Sequence, residues 1–366
     1  MQYFYNFDEY SIPYRVKVLF WGFYMVVFVY AVWKTLLSTP KRKKDITCLF
    51  GVFFALYAMF YCINPDYFRY RDWIYEREFD FWEKEQFYVY TIFFCRLLPF
   101  DYPYEVFRFI VWGGAVFIAY HSFRMYRGGV LPGLVLLLLF VFFCGYFSYG
   151  RASLAMAVYF FGITLYLCYK FPWKIMGIVM AILSYFLHHE MIVAIALLPC
   201  LFIPFEKKKM VHLSIIGLIV LIIALSYLTS YMEYLDSIIG NEDISTKIED
   251  FSEQEQGAFR LSTLIKYLNF FYPFYLITKF FWERNVHHSV TGMYRITYGI
   301  LMVSVAFMIV AGARSVFCYR IMYIAMIPLA LLIGYGYCER YFKMKHFLIM
   351  MLIALLSNSV RFINAL

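Results

Sequence analysis

Residues 175–203 read IMGIVMAILSYFLHHEMIVAIALLPCLFI, an apolar run interrupted at its middle by His188, His189 and Glu190. Each apolar half has 13 residues, and an ordinary bilayer span needs about 20. The whole run exceeds a single span. Lys170 and Lys174 flank one end, and Lys207, Lys208 and Lys209 flank the other. Basic residues concentrate on the inner side of a membrane, so both ends of the run are expected there. The run therefore reads as a tight helical hairpin with the His-His-Glu triplet at its far tip. Ionisable groups at membrane depth are costly, which makes these three candidate functional residues.

The rest of the chain agrees with a membrane setting. It is 63% apolar and 16% charged, with a mean hydropathy of +0.66, whereas soluble domains are about 45–50% apolar. The expected fold class is an all-α polytopic integral membrane protein of about twelve transmembrane helices, forming one domain over residues 1–366. The segment Met1–Tyr10 is polar and acidic and has no cleavable signal pattern. The first apolar segment is expected to act as a retained anchor. The eight cysteines are scattered without a CxxC pair, and read as small core residues rather than a disulfide or metal framework. The net charge of +9 follows from the positive-inside rule and does not call for nucleic acid.

Twelve apolar segments can be drawn, at about 16–37, 46–63, 103–123, 130–147, 152–169, 175–187, 190–204, 212–230, 261–281, 293–311, 317–337 and 346–362. A shorter amphipathic stretch at 84–98 contains Arg96 and is expected to lie at the interface or dip in and return. Placing Lys41–Lys44 inside and alternating sides gives the inner ends 18 Lys and Arg. Only Asp45, Glu206, Glu283 and Glu339 oppose them there, a net of +14 inside and −5 outside. Both termini are then outside. The assignment requires 175–203 to cross twice. Two long polar stretches, 64–102 and 231–260, fall outside, so chemistry is expected on the outer face.

Several arginines on that face are not explained by the positive-inside rule. Arg69 and Arg71 follow Asp66 in the first outer loop, Arg151 opens a span in SYGRASLAMA, and Arg314 and Arg320 bracket a turn in GARSVFCYRIMY. Arginine grips phosphate with a planar fork and stays charged. Several of them at a membrane surface suit a lipid-linked diphosphate. The competing role is snorkelling to headgroups or pairing with the acidic loops. His188 or His189 suits proton transfer or a phosphate contact; the alternative is a polar tip that only touches water. A metal site is not expected, because no third or fourth ligand can be placed beside the pair. Asp66 is one of seven acidic residues in the first outer loop that can accept a hydroxyl proton. His287 and His288 form a second pair, read as interfacial. No nucleotide or hydrolase fingerprint is present.

The segment GRASLAMAVYFFGITLYL (150–167), followed by KFPWKIMGIVMAILSYFLHHEMIVAIALLP (170–199), resembles the EpsG-like branch of Wzy-type bacterial polysaccharide polymerases. That pattern has an arginine, here Arg151, and a span containing Leu-Ala. A short span follows that ends in a histidine, best matched by His188, and then an apolar return ending in proline. Glu190 stands where the pattern has a small hydroxylated residue, so the register of His188 against His189 stays open. NPDYFRY matches the first outer loop through Asp66 and Tyr70, and CYRIMYIAMIP matches a late span through Arg320 and Tyr323.

The resemblance implies a GT-C-like membrane glycosyltransferase in the bacterial inner membrane, acting on its outer face without a cofactor, metal or nucleotide sugar. Its substrates would be undecaprenyl diphosphate-linked oligosaccharides of a capsule, exopolysaccharide or O-antigen pathway. A flippase and a chain-length regulator are its implied partners. His188, His189 and Asp66 are then the expected catalytic groups. Arg151, Arg320, Arg314, Arg69 and Arg71 would hold diphosphate, and Tyr70, Tyr323 and Glu190 would meet the glycan. An O-antigen ligase would use the same arginines with another acceptor. A flippase or transporter would need charges along a through-path, and the inner halves of the spans carry few. An acyltransferase would use a histidine without so many outer arginines.

Overall fold

The computed structural model describes residues 86–99, 103–126, 150–239, 261–310 and 316–364, with isolated positions at 18, 19, 22, 25, 26, 29, 74 and 138. Among the described residues every regular element is helical. Helix α1 is Gln86–Leu97. Helix α2, Pro103–Arg124, contains a π-helical turn at Phe109–Gly113. Then come α3, Gly150–Cys168; α4, Trp173–Leu187; and α5, Met191–Ala196, prolonged by a 3₁₀ turn at Leu198–Phe202. The remainder is α6, Met210–Ile239; α7, Leu261–Glu283; α8, His288–Val310; α9, Val316–Ile324; α10, Met326–Cys338; and α11, Met344–Asn364.

Helices α2, α3 and α8 are each long and apolar enough to cross a membrane. Others are shorter. Helix α4 has 15 residues, about 22 Å at 1.5 Å per residue, against a hydrocarbon core of about 30 Å. The expected span 317–337 is two helices, α9 and α10, which meet at Ala325. The expected interfacial stretch 84–98 is the 12-residue α1. Segments 16–37, 46–63 and 130–147 lie outside the described residues apart from isolated positions, as does most of both outer loops.

Exposed side chains identify the surrounding medium. Ile175, Ile178, Ile182 and Phe186 on α4, and Ile216, Ile219 and Ile223 on α6, all face outward. A continuous apolar surface of this kind is stable against lipid, not water. The chain is a membrane protein. Inside, hydroxyls are satisfied within their own helices: Thr164 donates to the Phe160 carbonyl at 2.7 Å, Thr297 to Met293 at 2.8 Å and Ser304 to Ile300 at 2.9 Å. These three hydroxyls thus enter the core with their donors paired.

The closest helix pair is α3 with α4. A Cβ built on Gly162 would lie 2.4 Å from the Gly177 carbonyl and 2.7 Å from the Ala181 nitrogen. A Cβ on Gly177 would lie 2.4 Å from the Gly162 carbonyl. The two backbones touch, which only small residues permit, and within a membrane this close packing is what holds helices together. The contact also sets the antiparallel register on which the candidate site depends.

Candidate functional site

Helix α4 ends at Leu187 because His188 is extended, with φ −161° and ψ 117°. The chain turns through 188–190, and Glu190 becomes the N-cap of α5. The amide of Met191 donates to the His188 carbonyl at 3.0 Å and that of Ile192 to His189 at 3.1 Å. The triplet is therefore a structured turn between two short helices, as the hairpin reading expects of its tip.

The turn separates the two histidines. His188 Nε2 lies 3.2 Å from Glu190 Oε2. His189 is exposed, and its ring packs beside Tyr185 at 5.0 Å. The other carboxylate oxygen of Glu190 accepts a hydrogen bond from Arg320 Nη1 at 2.5 Å. Glu190 thus stands between an imidazole and a guanidinium that comes from α9, 130 residues away. The Arg320 side chain is 51% exposed against 24% for Glu190, so the arginine reaches the carboxylate from the open side.

Arg151 lies at the same level of the bundle. Counting 11 residues back along α3 from Gly162 gives Arg151; counting 11 forward along α4 from Gly177 gives His188. Antiparallel helices in contact rise equally per residue. Arg151 is half-buried, and its carbonyl accepts the Tyr88 hydroxyl of α1 at 3.0 Å. The Tyr159 hydroxyl, buried, donates to the Ala194 carbonyl at 2.7 Å and fixes α5 against α3. Tyr323, one turn beyond Arg320, packs edge-on against Phe270 of α7. The structure brings His188, Glu190, Arg320 and Arg151 to one end of the bundle. Asp66, Arg69, Tyr70, Arg71 and Arg314 lie outside the described residues.

Sequence reasoning passed over Arg108. It is 3% exposed, and its guanidinium lies 5.8 Å from the Tyr104 ring centre and 5.7 Å from that of Trp112. Trp112 in turn leaves room for no more than a hydrogen at Gly150, where a Cβ would come within 2.3 Å of the ring. Trp112 thus links this cation to the start of α3, the turn that carries Arg151. The available signal was an arginine inside the apolar stretch PYEVFRFIVW (103–112), near the end that the charge count assigns to the outside. Among the described residues no three His, Cys, Asp or Glu side chains converge as a metal site requires.

Arg151 and His188 lie on the elements that carry the Arg–Leu-Ala–His–Pro pattern, and the family model described as "EpsG family" matches residues 45–365. The chain belongs to the EpsG family. No curated protein and no solved structure matches it. Membership of the EpsG family indicates a polysaccharide-polymerase kind of function in a membrane setting.

Proposed function

We propose that this EpsG-family protein polymerises oligosaccharide repeat units carried on a lipid diphosphate, undecaprenyl diphosphate, at the outer face of the bacterial inner membrane. The supporting observation is the Glu190 carboxylate held between His188 and Arg320, level with Arg151. In the reaction, the acceptor hydroxyl oxygen of one lipid-linked repeat bonds to the anomeric carbon of the other. The bond from that carbon to the diphosphate oxygen breaks, and the diphosphate leaves with the electron pair. The hydroxyl proton passes to His188, whose positive charge Glu190 stabilises. Arg320 has further N–H donors besides the one held by Glu190. With Arg151 it meets the charge that grows on the leaving diphosphate. Asp66, Arg69, Arg71 and Arg314 are proposed to contact the two diphosphates, and Tyr70 and Tyr323 the glycan. A flippase supplies the repeat units, and a chain-length regulator limits the product.

Reconstitution with lipid-linked repeat units tests this. A ladder of products formed without any nucleotide sugar is expected. Single additions, or no transfer by well-folded protein, would sink the proposal.

A further inference from the structure

At the opposite end of the bundle, the loop after the 3₁₀ turn, the α7–α8 connection and the start of α8 enclose a cavity of about 560 Å³. That is within the roughly 300–1,000 Å³ of small-ligand sites. Phe281 and Trp282 give it apolar wall, and Lys207, Arg284 and His288 line it as well. Two carboxylates also line it, Glu206 and Glu283, and both are already engaged. Glu206 accepts two hydrogen bonds from Arg295, at 3.0 and 2.6 Å. Glu283 accepts the Tyr341 hydroxyl at 2.7 Å and lies 3.9 Å from Lys279.

Lys207 and Arg284 have no ion pair among the described residues and are exposed. The first turn of the 23-residue α8 opens on the same cavity through His288 and Thr291. A helix start adds partial positive charge, and His287 already accepts the amides of Ser289, Val290 and Thr291 there. The buried indole N–H of Trp282 has no acceptor among the described residues. The cavity thus combines two cations without an ion pair and an aromatic wall, and each of its acids already holds a partner.

We propose that this cavity binds a phosphate-bearing anion, supplied either by an anionic phospholipid headgroup or by a soluble phosphate compound. The site is separate from the Glu190–Arg320 end and does not depend on the polymerase reading. The test uses the full chain in nanodiscs. Native mass spectrometry from bilayers containing phosphatidylglycerol reads the lipid source. Calorimetric titration of pyrophosphate in purely zwitterionic nanodiscs reads the soluble source. Wild type is expected to retain phosphatidylglycerol or to bind pyrophosphate, and whichever probe binds identifies the source.

The Lys207→Glu/Arg284→Glu double variant is expected to weaken that binding by about tenfold or more, as loss of two charge-assisted contacts should. The Lys343→Glu/Lys345→Glu variant makes the same charge change at the same end outside the cavity and is expected to bind as wild type does. Absence of both probes from wild type overturns the proposal. So does a double variant that binds normally, or equal losses in the two variants.

Discussion

The bundle holds a glutamate against an arginine at each of its two ends, and the two pairs are built differently. Glu206 and Arg295 form a closed clamp. Both carboxylate oxygens are taken, the third guanidinium nitrogen donates to the Leu201 carbonyl at 2.9 Å, and the two side chains are only 23% and 20% exposed. Glu190 and Arg320 share a single hydrogen bond; the arginine is half exposed, and the second carboxylate oxygen faces His188. A saturated pair can only hold structure, here the 3₁₀ turn against α8. An unsaturated pair can exchange partners, and its arginine can turn to an arriving phosphate without leaving a buried charge alone.

The most disruptive way to test this contrast is at the α3–α4 contact that levels Arg151 with the turn. Gly162→Leu forces two touching backbones apart, and overpacking alone costs about 1–3 kcal/mol or more. The expected result is strong loss of folded protein and of activity, read by thermal unfolding in detergent and by ladder formation. Normal yield and activity would show that the level of Arg151 does not matter.

Next in size come the open pair and its histidine. Arg320→Ala and His188→Ala should each lower polymerisation by about 100-fold or more while unfolding close to wild type. His189→Ala should stay within a few-fold. A larger loss for His189→Ala than for His188→Ala reverses the assignment made from the turn geometry.

The closed clamp should respond the other way. Arg295→Ala leaves Glu206 partly buried without its partner, and should cost about 2 kcal/mol of stability. Rate per folded molecule should change little. A specific activity that falls as far as in Arg320→Ala would erase the distinction between the ends.

The smallest effect is in pH. Burial acts to raise the Glu206 carboxyl, but the Arg295 hydrogen bonds, its own backbone and the Arg295 and Lys207 charges outweigh it and hold the group below its ordinary range. The folded-state value is lowered, so the contribution to stability is present above the unfolded value of about 4.3. It is lost as pH falls through the folded value. Thermal unfolding of wild type against Glu206→Gln should differ by a constant amount near neutral pH, and the difference should shrink only below about pH 4. A difference that fades between about pH 7 and 5 would assign the linkage to another group.

The contrast between the ends was only half visible in the sequence. The hairpin was legible because two local properties agree, the short apolar halves and the lysines at both outer ends of the run. Arg151 and Arg320 stood out as cations at span edges that the charge count assigns to the outside. The place of Glu190 was not legible, since its meaning comes from a guanidinium 130 residues away and no local periodicity carries that pairing. The choice between His188 and His189 rests on one extended residue that ends α4, which composition does not specify. Arg108 was passed over because the apolar stretch around it reads as an ordinary span. The break at Ala325 was also unseen, since both sides of it are equally apolar.

The π turn at Phe109–Gly113 sets the rotational phase of α2. Such a turn holds one residue more than the ordinary helix allows. Winding the same residues into a regular helix would rotate everything before it by about 100° relative to everything after it. The buried Tyr104 and Arg108 before the turn would no longer align with the buried Ala115 and Ala119 after it, while the apolar length of the span hardly changed. Membrane insertion would then be preserved and the setting of the buried cation beside α3 lost.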